Sequence, residues 1–373
     1  MWHNPPHITE QEKLLCRRLH KVAAQCGFVA IGATQAEPIA PWRQDQMQQW
    51  LDKGHAAEME YLHRQFPLRN NLNNVLPEVQ TIFSFAIPYA TKSPFSAEGF
   101  TLARYALGRD YHDVVKERLR QFVTQLQLPS HQQGRVCCDT APVDERYWAW
   151  RCGVGQWLDN AQIAVPDYGT FIFLGEWLCP LSLSALNAHL DAISFDEMAE
   201  NCKNSPFHRT NESVAKSEED AAAQTTPERA CLSCGRCSRA CPGGALTNDG
   251  VDARRCLSYL TIEHRGELSE EIAQTLGNRI YGCDTCAEVC PVNHIPLLSA
   301  NSRLKNIPSD FLPKAALTAM QPSNWQRLTQ EEYRTLFKGS AVKRAKYEGL
   351  MRNIRAVSSL REEKDTPHPS PEI

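Results

Sequence analysis

Eight of the 15 cysteines in this chain lie between Cys231 and Cys290. The first four form the run Cys-x2-Cys-x2-Cys-x3-Cys-Pro, Cys256 follows alone, and Cys-x2-Cys-x3-Cys-Pro closes the block at Pro291. Thiolates are the ligands of iron–sulfur clusters, and short gaps let one loop reach three corners of an iron–sulfur cube. The block therefore predicts a domain that folds around two [4Fe–4S] clusters.

The spacing also predicts which cysteines share a cluster. In two-cluster ferredoxins, the fourth cysteine of such a run binds the other cluster. Two adjacent clusters would carry single electrons to another part of the chain. Tetrahedral zinc is the alternative, but three ligands at two-residue gaps followed by Cys-Pro are typical of ferredoxins. The crossing predicts one cluster on Cys231, Cys234, Cys237 and Cys290, and the other on Cys241, Cys256, Cys283 and Cys286.

Length and charge restrict the class of protein. The chain has 373 residues, enough for two or three domains with hydrophobic cores. Its formal charge of -3 does not by itself indicate a nucleic-acid partner. No run approaches the roughly 20 apolar residues that a membrane helix needs, and the N-terminus lacks the pattern of a secretory signal. We therefore expect a cytoplasmic monomer with no membrane partner.

Hydrophobic periodicity predicts alternating helices and strands over the first half of the chain. A capping-box pattern at Thr9 and Glu12 begins a helix over 9–26, and further helices are expected at 111–126 and 142–152. Strands are expected at 28–31, 81–87, 135–139 and 170–174. This alternation predicts an α/β or α+β fold.

Composition divides the chain into four predicted parts. An N-terminal α/β domain would cover 1–186, a polar linker or insertion 187–229, a ferredoxin-like domain with both clusters 230–297, and a helical C-terminal region 298–373. The C-terminal region is rich in lysine and arginine between 338 and 355. Such a run is either a solvated helix face or a surface for phosphate groups.

Asp139 stands out in the N-terminal half. It ends an apolar strand and precedes Pro142 at an expected helix start. Open α/β sheets place ligands at the ends of their strands, and a partly buried carboxyl there can have a raised pKa and donate a proton. The alternative is that Asp139 only caps the following helix.

Nearly the whole chain closely resembles the epoxyqueuosine reductase family of cobalamin- and iron–sulfur-dependent tRNA-modifying enzymes. The shared segments are RYALGRDYH at 104–112, DTAP at 139–142 with Glu145 and Arg146, YGTFIFLGE at 168–176, ARRCLSYLT at 253–261, GNRIYGCDTC at 277–286, and parts of 339–353.

The resemblance implies a reaction and its site. Family members reduce the epoxide of epoxyqueuosine to queuosine at the tRNA wobble position, with electrons passing from two clusters to cobalamin. By resemblance, Asp139 is the proton donor. Arg146 orients the site or contacts the substrate, and the alternative is an ordinary salt bridge. The implied cobalamin contacts are Arg69, Asp139, Ile163, Leu174, Ser258, Cys283 and Asp284.

An RNA partner and an external electron donor follow from the same resemblance. A wobble base must leave its stack to reach a buried cofactor, and basic side chains would hold the surrounding phosphates. The candidate RNA contacts are Arg254, Arg255, His264, Arg265, Lys343, Arg344 and Arg352.

Two departures from the family keep other functions open. Asp159 stands where the family carries a basic residue, in a segment expected near the corrinoid, and residues 187–229 lengthen a connection that the family keeps short. The alternatives are an electron-transfer iron–sulfur protein whose N-terminal domain binds no cobalamin, and a divergent corrinoid reductase, similar to reductive dehalogenases, that acts on another substrate.

Overall fold

The computed structural model describes residues 8–89, 95, 99–195, 231–293 and 307–365. The N-terminal helices are α1 (Glu10–Gln25), α2 (Pro41–Asp52), α3 (Glu60–Arg69), α4 (Tyr111–Gln125), α5 (Glu145–Arg151) and α6 (Leu183–Ala192). The N-terminal strands are β1 (Ala30–Gln35), β2 (Thr81–Pro88), β3 (Thr101–Leu102), β4 (Arg135–Cys137), β5 (Gln156–Trp157), β6 (Ile163–Ala164) and β7 (Ile172–Cys179).

The cluster region and the tail consist of short elements and one long helix. Their helices are α7 (Arg236–Ala240), α8 (Leu257–Ile262), α9 (Glu270–Leu276), α10 (Thr285–Glu288), α11 (Ala315–Thr318), α12 (Pro322–Gln326), α13 (Gln330–Leu336) and α14 (Lys346–Asp365). Their strands are β8 (Leu246–Thr247), β9 (Gly250–Val251) and β10 (Arg279–Tyr281). Within the described residues, no helix combines the length and hydropathy needed to cross a membrane.

The central sheet has four strands in the order β1-β2-β7-β4, and every neighbouring pair is antiparallel. The fold is therefore mixed α and β of the α+β type, and the α/β alternative is wrong. The sequence left both classes open because periodicity locates strands without giving their direction. The crossovers that make strands parallel cannot be told from other helical connections in the sequence.

Helices cover both faces of this sheet. On one face, Leu15 and Leu19 of α1 and Phe122 of α4 pack with Phe83 and other residues of β2. On the other face, a second apolar cluster joins β2 to α5 and to the β5–β6 ribbon. All eight residues of β2 are buried, which explains why this strand is mostly apolar rather than alternating between apolar and polar residues.

Most predicted helices lie close to their expected positions. The capping box at Thr9 and Glu12 is confirmed, with the Thr9 amide 2.6 Å from a Glu12 carboxylate oxygen. The expected linker overlaps α6, which continues to Ala192, so its first residues are helical. Residues 196–229 of the expected linker lie outside the described residues.

The two halves of the chain share a hydrophobic core. Phe100, Leu102 and Leu107 pack with residues of α8, β10 and the tail. Strand β3 also pairs in parallel with β10, so a segment from the N-terminal half continues the cluster region. The junction between the halves is consequently a packed interface, and the acidic and cysteine-rich sites described below lie along it.

Candidate active site and cluster centres

Asp139 lies in a strained turn after β4. Its φ is +56°, a left-handed conformation. This conformation costs a non-glycine residue about 1 kcal/mol or more, and it persists only where the surrounding structure holds it. Its amide donates a hydrogen bond to the carboxylate of Glu145, at the first position of α5. The cap of α5 is Asp144, whose carboxylate accepts from the Tyr147 amide at 3.4 Å, so the interpretation of Asp139 as a helix cap is wrong.

Two side chains from the start of α4 hold the Asp139 carboxylate. The Tyr111 hydroxyl donates to Oδ2 at 2.5 Å, and His112 Nε2 lies 3.0 Å from the same oxygen. His112 Nδ1 lies 2.6 Å from Oδ1 of Asp110, the N-cap of α4. We call Asp110, Tyr111, His112 and Asp139 the acid centre.

The charges of the acid centre differ from the expectation. Burial raises the pKa of Asp139, but the hydrogen bonds from His112 and Tyr111 outweigh it and hold the pKa at about 2. The expected raised pKa is therefore wrong, and the 57% exposure of the Asp139 side chain also favours the ionised carboxylate. Burial lowers the pKa of His112, but Asp110 and Asp139 together raise it to about 9. At neutral pH an imidazolium thus lies between two carboxylates.

A buried pair of acids lies behind the turn. Glu176 on β7 is fully buried, and its Oε1 accepts a weak hydrogen bond from Ser84 at 3.4 Å. Burial raises the pKa of Glu176 well above its usual range, and the neighbouring Glu145 raises it further. Burial and the Asp139 charge raise the pKa of Glu145 to about 7. At neutral pH the buried Glu176 therefore keeps its proton under the Asp139 turn, close to Glu145.

The eight clustered cysteines form two groups of four. One group brings Cys290 into electrostatic range of Cys231, Cys234 and Cys237. The other brings Cys286 into range of Cys241, Cys256 and Cys283. This is the crossed grouping that the spacing predicts. Among the described residues, no three His, Cys, Asp or Glu surround a single metal-ion position, whereas a cube gives each thiolate its own iron atom.

The backbone of the first run turns sharply around its cysteines. Ser233 and Gly235 both have positive φ, 47° and 67°, so the chain reverses between ligands. The backbone and the carboxylate of Asp159 lie within electrostatic range of the Cys231 thiol. The residue that departs from the family pattern therefore lies against the first cysteine group.

Stacked aromatic rings connect the second cysteine group to the acid centre. Tyr89, at the end of β2, lies in electrostatic range of Cys286. Its ring stacks on Phe173 at 4.2 Å between centroids, and Phe173 stacks on Tyr111 at 4.4 Å with nearly parallel planes. Since Tyr111 belongs to the acid centre, the two rings of Tyr89 and Phe173 connect that centre to the neighbourhood of the second group.

Hydrogen bonds join the N-terminal half of the chain to the cluster region beside this stack. The Arg104 amide donates to Asp284 Oδ2 at 2.8 Å. Asn293 accepts from the Thr170 amide at 2.8 Å and donates to the Thr170 hydroxyl at 2.9 Å, with both residues buried. The distance between the cysteine groups and the N-terminal sheet is thus set by buried hydrogen bonds.

Comparisons with known proteins extend over nearly the whole chain. An epoxyqueuosine reductase from Gloeobacter violaceus is 32% identical over 90% of this chain and 93% of its own length. This chain belongs to the epoxyqueuosine reductase family. The family consists of oxidoreductases, and a relative named epoxyqueuosine reductase from Leadbetterella byssophila is 29% identical over 91% of this chain and 96% of its own.

Family models and solved structures agree with this placement. The model described as epoxyqueuosine reductase QueG, DUF1730 matches residues 69–140, and the 4Fe-4S double cluster binding domain matches 230–293. An epoxyqueuosine reductase solved with an epoxyqueuosine-modified tRNA-Tyr stem loop shares the fold, with a TM-score of 0.69 and 22% identity over 96% of this chain and 86% of that one. The Streptococcus thermophilus enzyme gives 0.70, with 21% identity over 94% and 86%.

Some of the cobalamin contacts expected for the family lie near the acid centre. Tyr61 is in electrostatic range of both Arg69 and Asp139. The Cys138 thiol donates to the Leu174 carbonyl at 3.4 Å, which places Leu174 beside the Asp139 turn. Arg69, Asp139 and Leu174 thus border one region of the molecule.

The other expected cobalamin contacts are more dispersed. Cys283 and Asp284 lie at the junction with Arg104, and Ser258 lies on α8. Ile163 is only 3% exposed and packs in the core beside β2. Ile163 shares its apolar cluster with Ala141 and Leu174, which lie near the Asp139 turn. The assignment of Ile163 and Ser258 to cobalamin remains a prediction.

Two buried arginine donors show whether this junction could hold a corrinoid. The Nε atoms of Arg69 and Arg104 are buried and have no hydrogen-bond partner in the described part of the chain. A buried donor without a partner costs about 1–3 kcal/mol, and the amide and phosphate oxygens of cobalamin side chains would accept from both. The residues of this junction therefore suit the cofactor that is implied for the family.

The structure contradicts one of the expected RNA contacts. Arg352 is only 7% exposed, and it donates to the backbone carbonyls of Leu260, His264 and Gly266 at 2.6–2.9 Å. It therefore caps the end of α8 from within the protein. The sequence shows that this region is basic, but it does not show which of the basic side chains on the long helix α14 point into the protein.

The remaining expected RNA contacts lie at the surface, several of them already paired. Arg344 donates two hydrogen bonds to the Glu263 carboxylate, at 2.7 and 2.8 Å. Its guanidinium also lies 5.9 Å from the centre of the Tyr61 ring. Arg254 makes a similar bidentate pair of hydrogen bonds with the Asp252 carboxylate. An RNA phosphate would have to compete with these carboxylates for the guanidinium groups.

Four further candidates complete this surface. Arg255 and Arg265 are exposed and donate to backbone carbonyls. His264 lies 3.2 Å from Glu58, and Lys343 is exposed. Their assignment to RNA remains a prediction.

Sequence reasoning missed the partners that control Asp139. Tyr111 and His112 lie in the shared segment RYALGRDYH, and Glu145 follows the DTAP segment. The available signal was a cluster of titratable residues in shared segments, but nothing in the sequence places residues 110–112 beside 139. Glu176 gave a weaker signal, as an acid inside a strand that is otherwise apolar.

Proposed function

We propose that this chain reduces epoxyqueuosine to queuosine at the wobble position of tRNA, using two [4Fe–4S] clusters and cobalamin. The proposal places a cobalamin and substrate domain within 1–186, both clusters within 230–297 and RNA-binding residues in the tail. It also takes the protein as a cytoplasmic monomer that receives its electrons from an external donor.

The observation that carries the proposal is the short link between the second cysteine group and the acid centre. Tyr89, Phe173 and Tyr111 form that link by ring stacking. A reductase of this type needs an electron source and a proton source on the same substrate, and this stack supports a single junction for the two.

The reaction converts an epoxide to an alkene and water, which takes up two electrons and two protons. The clusters, when bound to the two cysteine groups, supply single electrons, and bound cobalamin supplies a strongly reducing cobalt centre. The chain itself must hold the ring oxygen near Asp139 and protonate it as the carbon–oxygen bonds break. Tyr111 fixes the carboxylate through its 2.5 Å hydrogen bond.

The structure also suggests how the base would reach the site. Tyr61 lies between the acid centre and the surface around Arg344, and single-stranded bases stack on such aromatic rings. An anticodon loop bound across this surface would bring one unstacked base toward Asp139. A Bacillus subtilis epoxyqueuosine reductase, 24% identical, has been solved with its catalytic aspartate loop swung out of the active site. We propose that the Asp139 turn corresponds to that loop.

The test is anaerobic reconstitution followed by turnover. We expect about eight iron atoms and one corrinoid per chain, and conversion of epoxyqueuosine in a tRNA stem loop when a strong reductant is added. Iron without corrinoid would favour the electron-transfer protein. Both cofactors without conversion would favour a corrinoid reductase that acts on another substrate.

A further inference from the structure

The proposed function leaves the source of its protons open. Asp139 is the group nearest the reacting oxygen in that proposal, yet its carboxylate is ionised at neutral pH. An ionised carboxylate can accept a proton but has none to give. Each turnover needs two protons, so a second group must load Asp139 each time.

His112 has the geometry for this role. Its Nε2 lies 3.0 Å from Asp139 Oδ2, and its Nδ1 lies 2.6 Å from Asp110 Oδ1, so both ring nitrogens are engaged by carboxylates. The ring stacks on Tyr111 with centroids 4.0 Å apart, and Tyr111 in turn stacks on Phe173. The imidazole is therefore held in a fixed orientation along the line from Asp110 to Asp139.

The surroundings of His112 favour its charged form. Asp110 and Asp139 face it directly, and the raised pKa of His112, about 9, follows from these two neighbours. Lys116 and Arg146 are the nearby cations, acting on Asp110 and Asp139 respectively. The side chain remains 24% exposed, so water can reach the ring and restore its proton.

We propose, on the basis of the proposed function, that His112 supplies both protons of the reaction through Asp139, while Asp110 orients its ring. The His112 Nε2–H bond breaks as an O–H bond forms on Asp139. That O–H bond then breaks as a new one forms on the oxygen leaving the substrate carbon. Water reprotonates the imidazole, and a second passage converts the hydroxyl to water. The two electrons come from the external reductant.

His112 is thus a positioning and proton-supplying residue, and Asp139 is the group that meets the substrate. A purely structural histidine would hold the Asp139 turn in place without affecting how the rate depends on pH. A proton-supplying histidine sets the alkaline limb of the rate profile, because the rate falls once the imidazolium loses its proton.

The test compares His112→Gln and Asp110→Asn with His131→Gln, an exposed histidine away from the acid centre. In the reconstituted enzyme, we expect His112→Gln to lower kcat about 100-fold with unchanged KM for the stem loop, and to remove the alkaline limb. Asp110→Asn should keep the limb but move it to lower pH, because one carboxylate no longer stabilises the imidazolium. His131→Gln should match the wild type.

A second readout does not depend on turnover. In the cofactor-loaded protein with labelled histidine, NMR should show the His112 ring titrating near pH 9, and at lower pH in both Asp110→Asn and Asp139→Asn. If the wild type does not convert epoxyqueuosine but His112 titrates as expected in all three proteins, the proposed function is wrong, whereas the coupling of His112 to Asp110 and Asp139 is supported. Wild-type kcat and pH profile in His112→Gln, or loss of iron or corrinoid from it, would overturn the proposal.

Discussion

At the scale of single residues, Asp139 depends on partners that are distant in sequence. The shared segment DTAP draws attention to it, but its charge is set by Tyr111 and His112 at the start of α4 and its backbone by Glu145. A pKa follows from which groups meet in space, and one sequence read without its fold does not supply that. The position of the site was predictable from the sequence; its protonation state was not.

Glu145 should make stability depend on pH. Its folded pKa of about 7 exceeds the ordinary glutamate value of 4.5, so the folded state holds the proton more tightly. Its contribution is complete below pH 4.5 and is lost as the pH rises through 7. We expect Glu145→Gln to flatten this decline, by ~1–3 kcal/mol across the window.

Thermal unfolding between pH 4.5 and 7.5, with clusters intact and oxygen excluded, measures this effect. Glu331→Gln, at an exposed position on α13, is the matched control and should decline like the wild type. Parallel pH profiles for Glu145→Gln and wild type would contradict the raised pKa of Glu145.

Asp159 should lower the reduction potential of the first cluster. Its carboxylate lies against Cys231, and a nearby negative charge opposes the addition of an electron to a cluster. We expect Asp159→Asn to raise that potential by an amount on the order of tens of millivolts. A redox titration followed by electron paramagnetic resonance measures it. Asp45→Asn, exposed on α2, is the control; equal potentials in all three proteins would contradict the assignment.

At the scale of elements, the starts of the helices were more predictable than the extent of the strands. Helices α1 and α4 begin at the polar caps Thr9 and Asp110, because a cap is a local interaction that the sequence states directly. Strand β7 begins at Ile172 and ends at Cys179, five residues beyond its expected end. Its length is set by pairing with β2, which is a long-range property.

The long helix α14 is anchored by a buried amide. Asn353 is fully buried, and its Nδ2 donates to the carbonyls of Thr261 and Ile280 at 2.9 and 2.8 Å. We expect Asn353→Ala to lower the free energy of unfolding by about 2–4 kcal/mol, because both carbonyls and Arg352 lose a partner.

Arg355→Ala, at an exposed position on the same helix, tests this assignment by comparison. Its effect should stay within about 0.5 kcal/mol. Anaerobic unfolding of both variants, monitored by far-ultraviolet circular dichroism, gives the two values. Similar stability of the two variants would show that the amide does not anchor the tail.

At the scale of the whole molecule, the predicted division into parts is only a first description. The pairing of β3 with β10 and the bond from the Arg104 amide to Asp284 build the second cysteine group into the N-terminal half. Composition marks where segments change character, but it does not show that two segments complete each other's core. In the proposed function, these contacts between the two halves bring the source of electrons and the source of protons to one junction.

The most direct test of the account is nucleoside analysis by mass spectrometry. An epoxyqueuosine-containing stem loop is incubated with reconstituted enzyme and a strong reductant, with Asp139→Asn in parallel. The account predicts that the wild type yields a nucleoside lighter by one oxygen atom, whereas Asp139→Asn retains iron and corrinoid but loses about 100-fold or more in rate. Unchanged epoxyqueuosine with fully loaded wild type, or full activity of the variant, would contradict it.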